Sequence, residues 1–117
     1  MHADAAMLRE QLLTRLSTED HLFTDTLAFI NQHYHYQPSA FSNGPVNNSA
    51  EQNQGSCKVL AMALDLGLTQ QQALQCFAEH YQAVLAEPHG TGHANIRALM
   101  ISGLTGVSFA HQPLTRR

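Results

Sequence analysis

The residues best equipped for chemistry sit together in Gln52-Asn53-Gln54-Gly55-Ser56-Cys57-Lys58, where a long polar stretch runs into an apolar one. The pattern places Cys57 in the first turn of a helix beginning near Ser56. A helix N-terminus carries about half a unit of positive charge, which lowers the pKa of a thiol there. Lys58 adds a second positive charge beside it. Gln54 and Gln52 lie upstream, where side-chain amides can bind the oxyanion formed when a thiolate attacks an acyl group. His93 is the candidate base, with His80 and His89 as alternatives, and Asn95 can orient the ring. On this reading the protein is a cysteine-dependent hydrolase or transferase with Cys57 as nucleophile. A plainer reading carries more weight: Ser56 caps the helix and Cys57 packs as a small apolar side chain, free cysteines being among the most buried residues.

Gly55-Ser56-Cys57 with its upstream glutamine imitates papain-like hydrolases locally, but lacks their glycine-cysteine pair and the aromatic residue after the cysteine. The amides suggest binding instead. Asn43, Gln52, Asn53 and Gln54, with Ser56, can line a polar pocket and read a small ligand or a peptide backbone. Asn43-Gly44 is also a turn signal in its own right, since asparagine bonds its own backbone and tolerates left-handed conformations. Two segments further on supply facing groups: Glu79-His80-Tyr81 and His93-Ala94-Asn95-Ile96-Arg97. His80, Asn95 and Arg97 fall near helix ends that a compact bundle can bring to the polar loop. Arg97 can pair with Glu79 or hold a partner's carboxylate; as a surface ion pair it is worth under about 1 kcal/mol. His33 with His35, and His89 with His93, are spaced as pairs, but no carboxylate or cysteine completes a convergent metal set. No metal and no cofactor is expected.

Stepping outward, 117 residues suffice for one domain with one core. The net charge of −3 with only six Lys and Arg argues against a nucleic-acid binder, which shows a basic stripe. Eight histidines make the charge sensitive to mild acid. The two cysteines, Cys57 and Cys76, both in apolar surroundings, read as free thiols in a reducing compartment. No apolar run approaches about 18 residues, so no membrane span is expected, and the start lacks the basic-then-apolar layout of a secretory signal.

Leu8, Leu12, Leu13 and Leu16 predict a first helix, within a segment 1–20 that can attach loosely. Ser17-Thr18-Glu19-Asp20 then reads as the start of a second, with Phe23, Leu27, Ile30 and Tyr34 on its inner face and Pro38 as its limit. Residues 39–55 are a polar loop too long to be an idle connector. Residues 56–66 read as a central buried helix ending at Gly67. Thr69-Gln70-Gln71-Gln72 fits a capping box for a helix running to Pro88. A shorter helix follows near 93–102, then a strand at Gly106–Phe109 whose partner lies near Tyr36–Phe41, and a tail at 112–117. The fold class is mainly α, α+β at most: a compact bundle of about five helices with a small β-hairpin or two-stranded sheet.

The ordered set Phe41-Ser42-Asn43-Gly44, Gln52 to Lys58, Glu79-His80-Tyr81 and His93 to Arg97 resembles the HopJ type III effector family. The likeness runs from Phe23-Thr24-Asp25-Thr26-Leu27 to Gly106-Val107-Ser108-Phe109 and Pro113-Leu114, and departs at Leu104, where the family tends to carry an aromatic residue. It implies a small bacterial protein, cytoplasmic in its producer or delivered into a host cell by a type III apparatus. The family carries no established reaction to transfer. The expectation is therefore a single-domain binding module acting through the 41–58 loop on an unknown protein or small-molecule ligand, with neither nucleic acid nor membrane as partner.

Overall fold

An apolar helix with neighbours on several sides organises this chain. The computed structural model describes residues 4–117, so the first three residues of the expected N-terminal segment lie outside it. In chain order the elements are α1 (Ala5–Leu16), α2 (Phe23–His33), β1 (Tyr34–Tyr36), β2 (Phe41–Asn43), β3 (Val46–Asn48), α3 (Gln54–Leu66), α4 (Gln70–Gln75), α5 (Glu79–Ala86), α6 (Ala94–Ser102), a 3₁₀ turn (Leu104–Gly106), β4 (Val107–Phe109) and β5 (Leu114–Arg116). The fold is a helical α+β domain, as the residue pattern implies. Helix α3 buries Val59, Leu60, Met62, Ala63 and Leu66 and touches α1, α2, α4 and β5. Helix α1 is held there by fully buried Leu8 and Leu12, which give the N-terminal segment a firm apolar anchor.

The sheets differ from expectation in an instructive way. Within the polar loop, Asn43-Gly44-Pro45-Val46 closes a hairpin, with Phe41 opposite Asn48 and Asn43 opposite Val46. Gly44 takes φ +56°, and a Cβ there would lie 2.5 Å from Ser102 Oγ, so both backbone twist and close approach require glycine. The strand expected at Gly106–Phe109 forms as β4 and pairs with β2, giving the order β3-β2-β4. Tyr34–Tyr36 instead pairs with Leu114–Arg116, so the expected tail is a strand. Leu114 is buried and Arg116 Nε lies 3.1 Å from Asp65 Oδ2 on α3, which explains why this end is held.

Two helix boundaries also move. Ser17 and Thr18 do not start α2; their hydroxyls donate back to the Thr14 and Arg15 carbonyls at the end of α1. Helix α2 begins at Phe23, where Asp25 accepts from the Leu22 amide at 2.9 Å and Glu79 from the Phe23 amide at 2.7 Å. The Thr69–Gln72 capping box forms as the residue pattern implies, through bonds of 3.1 and 2.9 Å. The helix it starts breaks at Cys76–Ala78, however, into α4 and α5. The buried Thr26 hydroxyl donates to the Cys76 carbonyl at 2.8 Å, and Ala78 takes the rare left-sided value φ +51°. This break turns α5 so that its N-terminus meets those of α3 and α6.

Candidate functional site

Three non-glycine residues have positive φ among the described residues: Asn53 (+52°), Ala78 (+51°) and His93 (+56°). Each immediately precedes a helix, α3, α5 and α6 respectively, and none caps it with a side chain. Such conformations cost of order 1–3 kcal/mol each and persist only where the surroundings impose them. Asn53 tolerates the left-handed region best, and its side chain is engaged elsewhere: Nδ2 donates to Asn48 Oδ1 at 2.7 Å. The first helical amides therefore stay open. In α3 the first bonded amide is Cys57, to the Asn53 carbonyl, so those of Gln54, Gly55 and Ser56 meet no acceptor among the described residues. In α6 the first is Ile96, which leaves Ala94 and Asn95 open.

These ends border one cleft of about 340 Å³, lined by Asn53, Gly55 and Ser56 of the α3 start, Phe77 and His80 around α5, His93 to Ile96 of α6, and Phe23. The Phe23 and Phe77 rings stack at 5.8 Å, only 7° from parallel. His80 stands edge-on to Phe23 at 5.0 Å, and its ring centroid is 5.1 Å from that of His93. Gly55 belongs here for steric reasons, since a Cβ would approach the Phe23 ring at 3.1 Å. No lining residue is a carboxylate. The cleft thus combines open backbone donors, two imidazoles and an aromatic wall. Such a combination suits an anionic group carried on a flat or apolar body.

Behind the cleft lies a network of side-chain amides. Asn43, Asn48 and Asn95 are buried at 0, 6 and 4 % exposure. Asn43 Nδ2 donates to the Asn95 carbonyl at 2.8 Å and to Asn95 Oδ1 at 3.2 Å. Asn48 and Asn95 exchange bonds of 3.2 and 3.1 Å. The network ties the β2–β3 hairpin to the starts of α3 and α6. Asn43 Oδ1 is buried without a partner among the described residues.

Of the residues singled out from the sequence, Asn53, Ser56, His80, His93 and Asn95 line the cleft together. Asn43 stands behind it. Gln52 accepts from the Ser49 amide at 3.1 Å and so shapes the loop, while Gln54 accepts from the Tyr36 hydroxyl at 3.3 Å. Arg97 does not meet Glu79: it donates to the Gly92 carbonyl at 2.6 Å, holding the 88–92 turn, while Glu79 caps α2. His89 is exposed and outside the cleft. Phe23 and Phe77 read as core residues from their spacing; only the bend at Ala78 makes them a cleft wall, and no local pattern announces it. Gly55 reads from the sequence only as the end of the polar loop, and its place against the Phe23 ring comes from packing.

Cys57 does not belong to this group. It is 1 % exposed and absent from the cleft lining, and its thiol points to the Ser39 carbonyl at 3.8 Å. Burial raises its pKa, outweighing the opposite pulls of the Ser39 backbone, Tyr36 and Lys58. The expected activation by the helix end fails because the side chain turns inward. Lys58 itself lies over the Tyr36 ring at 4.7 Å. Among the described residues, no three His, Cys, Asp or Glu side chains converge as a metal set, and no helix is long and apolar enough to cross a membrane.

The chain is similar in fold to the protein of unknown function VPA0580, known from a crystal structure, at a TM-score of 0.86 and 34 % identity, over 100 % of this chain and 97 % of that one. No curated protein matches the chain. The family described as HopJ type III effector protein matches residues 9–114, a span that takes in the hairpin, the amide network and all three helix starts. The match covers nearly the whole chain, and the chain belongs to the HopJ type III effector family.

Proposed function

We propose that the protein is a binding module that captures an anionic group, carboxylate or phosphate, of a partner or small ligand in the cleft at the starts of α3, α5 and α6. The observation that carries this is the set of open amides at Gly55, Ser56, Ala94 and Asn95 beside His80 and His93, in a cleft lined by no carboxylate. An exposed helix end favours an anion by about 0.3–1 kcal/mol and a partly buried one by up to about 2 kcal/mol, and a hydrogen bond to a charged group adds about 1.5–3 kcal/mol. An apolar body on the ligand would rest on Phe23 and Phe77. The roles follow residue by residue. Asn53 and Ser56 form one lip, His80 and His93 the other, and Asn95 holds the floor through its amide bonds. Gln52, Gln54 and Asn43 shape the 41–58 loop around it, and Arg97 steadies the turn before α6. If the protein is delivered as the family name describes, the occupant is a host-cell molecule; if retained, it is one of the producer's own.

The test is an amide-resolved NMR titration with phenyl phosphate. Shifts concentrated at Gly55, Ser56, Ala94 and Asn95, and lost in Ser56→Glu, are expected, because the added carboxylate would occupy the open donors. Saturation with no shift at those four amides would overturn the reading.

A further inference from the structure

The break between α4 and α5 runs against its own sequence. Residues 70–86 contain no glycine or proline, and Leu74, Phe77, Tyr81 and Val84 recur along one helical face. Local preference therefore favours one helix from the Thr69 cap to Ala86. The chain bends instead at Ala78, an alanine at φ +51° and ψ −119°, a conformation that L side chains rarely adopt. We propose that this segment is a two-state element, straight or bent, and that Thr26 is the positioning residue that selects the bent state.

The hydrogen bonds show the exchange. In a continuous helix the Cys76 carbonyl accepts from the amide of His80. Here the His80 amide turns to the Phe77 carbonyl at 3.1 Å, while the Phe77 and Ala78 amides take the Leu74 and Gln75 carbonyls in tighter turns. The Cys76 carbonyl is met instead by the buried Thr26 hydroxyl at 2.8 Å. Thr26 thus stands in for the missing helical donor, and either state of the segment satisfies this carbonyl. The single hydroxyl proton is committed to Cys76, so His21 Nε2, 2.7 Å from Thr26 Oγ1, is the donor of the second bond and holds the hydroxyl from behind. On the other side of the bend, Glu79 accepts from the Phe23 amide at 2.7 Å. Helix α2 therefore grips the segment on both sides of Ala78. The bend seats His80 against the Phe23 ring at 5.0 Å, so only the bent state has this wall of the cleft, and anything held there favours it.

Backbone NMR on the whole protein tests this without any ligand, so failure of the anion-binding reading would leave it untouched. Thr26→Val keeps the shape of the side chain but removes the donor, so that only the straight state satisfies the Cys76 carbonyl; Thr26→Ser keeps the donor. The straight state should gain about tenfold over the bent one in Thr26→Val. That gain is read as Cα shifts of Phe77, Ala78 and Glu79 moving toward helical values, or as relaxation dispersion at those residues while the straight state is still minor, with a weaker NOE between the Phe23 and His80 rings. Thr26→Ser should keep the parent's pattern. Ala78→Gly relieves the positive φ and should raise the folding constant by about threefold or more in urea, whereas glycine inside a continuous helix would lower it. This last variant decides the matter even if Thr26→Val fails to fold. Parent-like shifts without dispersion in Thr26→Val, the same change in Thr26→Ser as in the valine variant, or a lowered urea midpoint in Ala78→Gly would each overturn the proposal.

Discussion

Replacing Asn95 with alanine tests the frame of the cleft. The wild-type side chain makes three bonds in a buried setting, from Asn43 and Asn48 at 3.2 Å each and to Asn48 at 3.1 Å. Its removal strands none of its partners completely. Asn43 Nδ2 keeps the residue-95 carbonyl at 2.8 Å, Asn48 Oδ1 keeps Asn53 at 2.7 Å, and Asn48 Nδ2 keeps a long bond of 3.4 Å to the Phe41 carbonyl. The loss is therefore three net hydrogen bonds and not an orphaned group, about 2–4 kcal/mol in all. For a domain of this size that lowers Tm by roughly 10 °C. Urea unfolding followed by far-UV circular dichroism reads it directly, with an unchanged m-value expected. A double-mutant cycle with Asn48→Ala should return a coupling of about 1 kcal/mol or more, since two of the bonds join this pair. A loss under about 1 kcal/mol in Asn95→Ala would refute the reasoning, because it would mean that the network contributes less than ordinary solvent-exchanged bonds. Asn95→Ala is for the same reason a poor probe of binding, as it loosens the cleft before any ligand arrives.

Three further outcomes are expected. Cys57 and Cys76 should resist iodoacetamide in the folded protein, since both are buried and Cys76 is pushed up to about 12; unfolded thiols ionise near about 8.5, so stability should fall as pH rises above that value, and rapid native labelling would contradict the burial. Asp65→Ala should cost about 1–3 kcal/mol by leaving the buried Tyr34 hydroxyl, now 2.7 Å from Asp65 Oδ2, without its acceptor, whereas Arg116→Ala removes only a partly exposed ion pair and should cost under about 1 kcal/mol; equal losses by urea unfolding would count against this. His33, packed on Phe29 with a buried Nε2 lacking a partner among the described residues, has its pKa lowered by burial and then by Arg15. The unfolded chain thus binds this proton more readily, and stability should decline as pH falls below about 6.5; His33→Phe should show a shallower acid loss in urea midpoints than the parent, and identical slopes would refute the assignment.

Much of the frame could be read in one dimension. The apolar run of α3, the Thr69–Gln72 cap and the Asn43-Gly44 turn depend on contacts within a few residues, and each forms where its local chemistry places it. The boundaries that moved depend on distant partners. Glu79 reaches back across the chain to cap α2, and Thr26 takes the carbonyl at which α4 and α5 part. Neither can be inferred from periodicity, because the acceptor and donor lie in separate segments.

The candidate site divides along the same line. Residue types alone marked Asn53, Ser56, His80, His93 and Asn95 as polar binding candidates in or near the 41–58 loop and helix ends, and marked Cys57 as either a nucleophile or a core residue. Only packing chose between those last two, by turning the thiol toward the Ser39 carbonyl and away from the cleft. Only packing, too, brought three uncapped helix starts together with two imidazoles 5.1 Å apart. The physical reason is that a side chain's chemical capacity is local, whereas its orientation, solvent access and counter-charges are set by residues that the chain supplies from elsewhere.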